Sequence, residues 1–108
     1  MTELEITKLA AEAMGLDVRV GPLQGTVMRC WIKIGNVEHE YWPLYNDVQA
    51  MALLKKFQLG IFPYGDGKWD AVFYRDDGSR EQSSLFVDNL NLAICETVAR
   101  LQLAKAKP

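Results

Sequence analysis

The sequence has few of the residues on which metal sites and nucleophilic sites depend. It holds one histidine and two cysteines among 108 residues, which excludes a zinc site built from a cluster of histidines and cysteines. Cys30 and Cys95 lie far apart without CxxC spacing, so we interpret both as reduced core residues rather than as a disulfide. We expect no metal and no other cofactor.

Long apolar runs and an excess of one charge are also missing. No run approaches the roughly 18 apolar residues of a membrane span, and residues 1–5 have neither the basic nor the apolar segment of a signal peptide. Twelve Lys and Arg against 14 Asp and Glu give a net charge of −2, without the basic surface that extended nucleic acid requires. These absences predict a cytoplasmic protein that binds neither membranes nor extended nucleic acid.

Three segments have helical patterns. Thr2 is the predicted cap of a first helix that ends at Gly15. Asn46 is the predicted cap of a second helix, and Asp88 or a neighbour that of a third, which runs to about Ala104. The apolar stripe of the second helix is predicted to consist of Val48, Met51, Ala52, Leu53 and Leu54. The stripe of the third is predicted to consist of Leu90, Ile94, Val98 and Leu101, with Leu92, Cys95 and Ala99 alongside.

The first β-hairpin spans residues 27–41 and turns at Gly35-Asn36. This turn places Lys33 opposite Glu38, and the resulting register separates apolar from charged residues. The inner face, predicted to point towards the core, carries Met28, Cys30, Ile32, Ile34, Val37, His39 and Tyr41. The outer face carries Arg29, Trp31, Lys33, Glu38, Glu40 and Trp42.

The remaining strands complete an α+β fold. A second hairpin is predicted at residues 59–74, a polar edge strand at 79–84, and a short strand or bridge at 17–20, followed by a loop at 21–25. The order α-β-β-α-β-β-(β)-α predicts a single domain over residues 1–108. We expect a sandwich in which three helices pack on one antiparallel sheet of four to five strands.

The outer face of the first hairpin is the candidate binding surface. Its residues Arg29, Trp31, Lys33 and Trp42 alternate positive charge with indole rings, and arginine and tryptophan are enriched in binding hot spots. Arg29 lies opposite Trp42, which favours a cation–π contact. The carboxylates on the same face favour a protein or a small nucleotide over a polyanion. The alternative is a merely solvated face, or one that a helix covers.

Other candidate chemistry is weaker. Cys30 and His39 share the inner face diagonally, but no oxyanion or nucleophile motif accompanies them, and we expect His39 to be a partly buried structural residue. Four aspartates near turns lack the ligand spacing of a calcium loop, and turn formation explains them. They are Asp66, Asp70, Asp76 and Asp77. Because no diagnostic catalytic motif is present, we expect a protein that is not an enzyme.

Several short segments from Tyr41 onwards resemble a family of phage proteins. The segments are Tyr41-Trp42-Pro43, Asn46-Asp47, Leu59-Gly60-Ile61, Gly67-Lys68-Trp69-Asp70-Ala71 and Asn91-Leu92-Ala93-Ile94-Cys95. In these segments the chain is similar to the phage ABA sandwich domain family, whose members are small accessory products of phages and prophages. The resemblance implies the cytoplasm of an infected bacterium as the setting. It implies no site residues, because the family has no established activity.

Two functions are compatible with these observations. The first is a non-enzymatic phage or prophage accessory protein that binds a host protein, such as a host-defence or metabolic factor. The second is a small-molecule binder that sequesters a nucleotide signal in a pocket or at the interface of a homodimer.

Overall fold

Three helices and two antiparallel sheets form the fold in the computed structural model, which describes residues 1–22, 25, 27–85 and 87–105. The predicted α+β class is therefore confirmed. The helices are α1 Glu3–Ala13, α2 Asp47–Phe57 and α3 Leu90–Lys105. The strands are β1 Val18–Pro22, β2 Met28–Ile34, β3 Val37–Glu40, β4 Gly60–Pro63, β5 Trp69–Tyr74 and β6 Arg80–Ser83. None of the helices in the described ranges is long and apolar enough to cross a membrane.

The strands form two separate sheets, so the predicted single sheet of four to five strands is wrong. The first sheet has the order β1-β2-β3 and the second the order β4-β5-β6. Residues 18–22 form a full strand on the free edge of β2, and their last two residues, Gly21 and Pro22, were expected in a loop. After β3 the chain turns into α2 through Pro43, which is buried and has no N–H to extend a ladder.

The predicted register of the first hairpin is confirmed. Lys33 pairs with Glu38, and Trp31 pairs with Glu40. The Tyr41 N–H donates to the Cys30 carbonyl at 2.8 Å, which continues the same register past the end of β3. The predicted second hairpin is also present, with both β4 and β6 as edge strands of their sheet.

Local hydrogen bonds fix the ends of the helices as their capping residues predict. The Thr2 hydroxyl accepts from the Glu5 N–H at 3.1 Å. At the other end of α1, Gly15 has φ +74° and the Leu16 N–H donates to the Ala11 carbonyl at 3.0 Å, as in a Schellman motif. Asn46 caps α2 by accepting from the Gln49 N–H, and Asn89 caps α3 by accepting from the Leu92 N–H.

Helix α3 lies at the centre of the fold, packed against α1, α2 and the second sheet. Small buried residues permit this close approach: Ala10 and Ala11 on α1, and Ala93 and Ala99 on α3. The buried Thr97 hydroxyl is 2.7 Å from the Ala71 carbonyl of β5 and 2.9 Å from the Ala93 carbonyl of its own helix. Helix α1 in turn packs on β1 and β2.

Helix α2 is rotated relative to its predicted apolar stripe. Its buried residues are Ala50 and Leu53, whereas Val48 is 81% exposed and Met51 41% exposed. Ala52, another predicted member of the stripe, is exposed too, whereas Leu54 is half-buried. Contacts made by the Gln49 side chain, described below, hold the helix in this rotation. The stripe predicted for α2 is therefore only partly correct.

The inner face of the first hairpin is buried only along part of its length. Cys30, Ile32 and Tyr41 lie in the core. Ile34 and Val37, at the turn, are 62% and 58% exposed, and His39 is also exposed. The prediction of a partly buried histidine is wrong: His39 lies opposite the buried Ile32, but it belongs to β3, which is an edge strand of the sheet.

Two substitutions in α2 test its rotation. Leu53→Ala removes a fully buried side chain and should lower the free energy of unfolding by about 2–5 kcal/mol. Val48→Ala removes an exposed one from the same helix and should change that free energy by less than about 0.5 kcal/mol. Urea unfolding of both variants measures the difference. Equal losses of unfolding free energy in the two variants would contradict this rotation of α2.

Candidate functional site

The three strands of the first sheet place the candidate residues side by side on its outer face. Arg19 of β1 pairs with Trp31 of β2, which pairs with Glu40 of β3. Trp31 is half-buried, and Arg19 and Lys33 are exposed. In the described part of the chain this face is therefore open to solvent, and the alternative of a covering helix is wrong.

Two arginine–tryptophan contacts give this face its shape. The Arg29 guanidinium carbon lies 3.7 Å from the ring centre of Trp42, as the register predicts. A second contact was not predicted: the Arg19 guanidinium carbon lies 5.9 Å from the ring centre of Trp31. Cation–π contacts of this kind favour one orientation of the guanidinium over the ring.

Gly21 makes room for the second contact. A side chain at this position would collide with the Arg19 guanidinium. The Gly21 carbonyl also accepts a hydrogen bond from the Trp31 indole N–H at 3.3 Å. The alternation Val18-Arg19-Val20 was the signal in the sequence that could have placed Arg19 on the outer face.

A carboxylate of β3 lies beside each of the two guanidinium groups. Arg19 donates from Nε and Nη2 to the two carboxylate oxygens of Glu38 at 2.9 and 3.0 Å. Arg29 Nε lies 3.6 Å from Glu40 Oε2, too far for a hydrogen bond, and this buried atom has no hydrogen-bond partner among the described residues. Hydrogen bonding to Arg19 lowers the pKa of the Glu38 carboxyl. The outer face is thus nearly balanced in charge, with Arg19 fixed by two hydrogen bonds.

An open cleft of about 590 Å³ separates this face from the start of α2. The Trp42 and Tyr45 rings lie at one side with centres 5.4 Å apart. Tyr45 is 71% exposed, and its hydroxyl donates to a Glu3 carboxylate oxygen at 2.7 Å, which raises the pKa of Tyr45. The cleft is lined by Arg29, Glu40, Trp42, Tyr45, Asn46 and Gln49.

The Gln49 side chain joins α2 to the end of β3. Its Oε1 accepts from the Trp42 N–H at 2.7 Å, and its Nε2 donates to the Glu40 carbonyl at 3.1 Å. The Tyr41 N–H points towards β2, so these two groups on the neighbouring residues face the open edge of the sheet. Gln49 therefore satisfies edge groups that a further strand would otherwise bind.

The cysteines offer no nucleophile. Both are free and buried. Burial raises the pKa of Cys30 and raises that of Cys95 to about 12, so both thiols stay protonated at neutral pH. His39 lies diagonal to Cys30 across the hairpin, but it is exposed, and no hydrogen bond joins it to the buried Cys30 thiol among the described residues.

The acidic turns carry no metal site in the described residues, where no three His, Cys, Asp or Glu side chains are grouped to hold an ion. Asp66 accepts from the Lys68 N–H, and Asp77 accepts from the Ser79 N–H. These are the hydrogen bonds of Asx turns. Turn formation therefore explains Asp66 and Asp77, as the sequence indicates. This explanation is wrong for Asp70, which is buried in β5, where its Oδ1 accepts from the Ser83 hydroxyl at 2.6 Å and its Oδ2 lies 3.7 Å from Arg80 Nη1.

All four predicted binding residues share the outer face. Arg29 and Trp42 meet at the cleft, whereas Trp31 and Lys33 lie towards the hairpin turn with Arg19 and Glu38. Comparisons with protein-family models, curated proteins and solved structures find no match to this chain. Its function has to be argued from this geometry.

The burial of the thiols can be tested with a thiol reagent. In the folded protein at about pH 8, neither Cys30 nor Cys95 should react within the time in which an exposed cysteine is fully modified, because both thiols are buried and protonated. Denaturant should expose two reactive thiols. Rapid modification of the native protein would contradict the burial of these thiols.

Proposed function

We propose that the chain is a non-enzymatic accessory protein of a phage or prophage that binds a host protein through the outer face of its first sheet. The observation that carries this proposal is the pair of arginine–tryptophan contacts on this face, in one of which two hydrogen bonds to Glu38 hold the Arg19 guanidinium. Side chains already fixed in one orientation lose little conformational freedom on binding. Tryptophan and arginine also contribute most strongly to protein interfaces.

The charge of the face favours a protein partner. Arg19, Arg29 and Lys33 are offset by the carboxylates of Glu38 and Glu40 on the same surface. A polyanion would meet these carboxylates as well as the basic groups. A protein surface with groups of both signs can match the pattern, and such complementarity selects the partner.

The resemblance of the segments from Tyr41 onwards to the phage ABA sandwich domain family supports the setting, the cytoplasm of a bacterial host. Host-defence and metabolic proteins are accessible to a protein in that setting. A host protein is therefore the partner that we propose, and the chain needs no catalytic group for this role.

A second candidate function rests on the cleft. An arginine stacked on an indole, with an exposed tyrosine ring beside it, offers flat surfaces on which a base can stack. The buried Trp42 Nε1 has no hydrogen-bond partner among the described residues. Sequestration of a small nucleotide is thus the alternative, although the Glu40 carboxylate lining the cleft would oppose a phosphate.

Trp31→Ala tests the outer face. Because this side chain is half-buried and makes one hydrogen bond, the free energy of unfolding should fall by about 1–2 kcal/mol, and the variant should stay folded. Affinity for a host protein retained from a bacterial lysate should fall at least about 30-fold, as at a hot spot.

The matched control for this experiment is Lys8→Glu, which alters an exposed charge on α1, away from the outer face. It should retain the same host protein as the unaltered chain. If the folded chain retains no host protein, or if Trp31→Ala and Lys8→Glu behave alike, the proposal fails.

Thermal unfolding with added nucleotides tests the alternative. A saturable rise of several degrees would indicate a ligand of the native state. Tyr45→Ala should abolish such a rise, because Tyr45 lines the cleft. Lys33→Ala should preserve it, because Lys33 lies away from the cleft. The absence of any shift across the common nucleotides would exclude sequestration of those nucleotides.

A further inference from the structure

Helix α2 presents an apolar surface that the fold does not use. Val48 is 81% exposed, Met51 is 41% exposed, and Ala52 is exposed beside them. A branched side chain in an exposed helical position lowers helix propensity, so Val48 contributes neither to the core nor to the helix itself. Residues 48, 51, 52 and 55 lie on one side of a helix. We call this surface the α2 stripe.

A charged residue marks each end of the α2 stripe. Asp47 lies in the first turn of the helix and Lys55 in the last. Both are exposed, and each is four residues from Met51, one on either side. The stripe therefore has an acidic end, an apolar centre and a basic end.

This arrangement is complementary to itself. If a second copy of the helix lies antiparallel, with a two-fold axis near Met51, the acidic end of each helix meets the basic end of the other. The apolar centres then face each other, and the two helix dipoles are opposed. A two-fold axis requires a surface that matches itself in this way.

A groove beside Met51 extends the apolar centre. It has a volume of about 330 Å³ and is bordered on its other side by Leu90, at the start of α3. An incoming side chain can therefore bury apolar surface against two helices. Asp47 stays available on the rim, although it also accepts a hydrogen bond from Asn91 Nδ2 at 2.8 Å.

We propose that the α2 stripe is a homodimer interface in which α2 pairs antiparallel with α2 of a second copy. The helix has 11 residues and is about 16 Å long. A contact of this length buries less than the roughly 1,200 Å² of a stable complex. The dimer is therefore weak and forms at high protein concentration. The interface is separate from the outer face of the first sheet, which leaves that face free in both copies.

Charge reversal at the two ends of the α2 stripe tests the charge pairing, and the unaltered chain, whose ends match only in the antiparallel arrangement, tests the orientation. Asp47→Lys leaves only lysines at the ends, and Lys55→Glu leaves only carboxylates, so each variant alone should stay monomeric. Mixed in equal amounts, the two variants should associate, because every contact between unlike chains then joins opposite charges. Sedimentation equilibrium from about 10 µM to about 1 mM measures the mass, over the range expected for a weak contact.

The unaltered chain should rise from the mass of a monomer towards twice that mass over this range, and the Lys8→Glu control should do the same. Val48→Gln, at a position where the side chain is exposed, should keep the fold and weaken association at least about tenfold by removing the apolar contact. This variant keeps the test valid if a charge reversal disturbs α2.

The proposal is overturned if the unaltered chain stays monomeric. It is also overturned if Val48→Gln associates as strongly as the unaltered chain. It is also overturned if the mixture of folded charge variants is no heavier than either alone. Association of the variants through another surface would give that last result. A parallel pairing of the helices would instead leave the unaltered chain monomeric, because like charges would meet at both ends, while the mixture associates. A failure here leaves the host-protein test unaffected, because that test uses residues on a different surface.

Discussion

The packing of helix α3 is the constraint on which the rest of the fold depends. One side of this helix meets α1 and α2 while another meets β5, and Thr97 bonds to the β5 backbone from within the buried surface. Small residues at the contact with α1 bring the two helices close. Because α1 also packs on the first sheet, α3 and α1 together hold two sheets that share no strand pairing. Each sheet is then a separate three-stranded meander: the first packs on α1 and the second on α3.

The features that the sequence predicts well depend on residues close together in the chain. Thr2, Gly15 and Asn46 act on backbone groups within a few residues of themselves, so their capping roles follow from local chemistry. The register of the first hairpin follows in the same way from the turn at Gly35-Asn36. The rotation of α2 cannot be predicted from neighbouring residues, because it depends on contacts between Gln49 and the end of β3, several residues earlier in the chain. Apolar spacing alone therefore predicted, wrongly, that Val48 is a core residue.

The residues of the candidate site also differ in whether local sequence patterns predict them. Alternation along β2 was enough to place Arg29, Trp31 and Lys33 on one face, and the hairpin register added Trp42. The contribution of Arg19 could not be predicted in the same manner. It depends on the pairing of β1 with β2 and on the absence of a side chain at Gly21. The cleft depends on how α2 is docked against β3, which is a tertiary arrangement that no local pattern in the sequence encodes.

The amide of Gln49 has a consequence for how this protein behaves in a crowded solution. Unpaired N–H and carbonyl groups on the edge of a sheet invite strands from other molecules, which is one origin of aggregation. At β3 the groups of Glu40 and Trp42 are occupied by a side chain from the same molecule. The carboxylates of Glu38 and Glu40 lie along the same short strand and would repel an identical strand. A protein that exposes tryptophan and arginine for recognition can thus keep the adjoining strand edge from joining other chains.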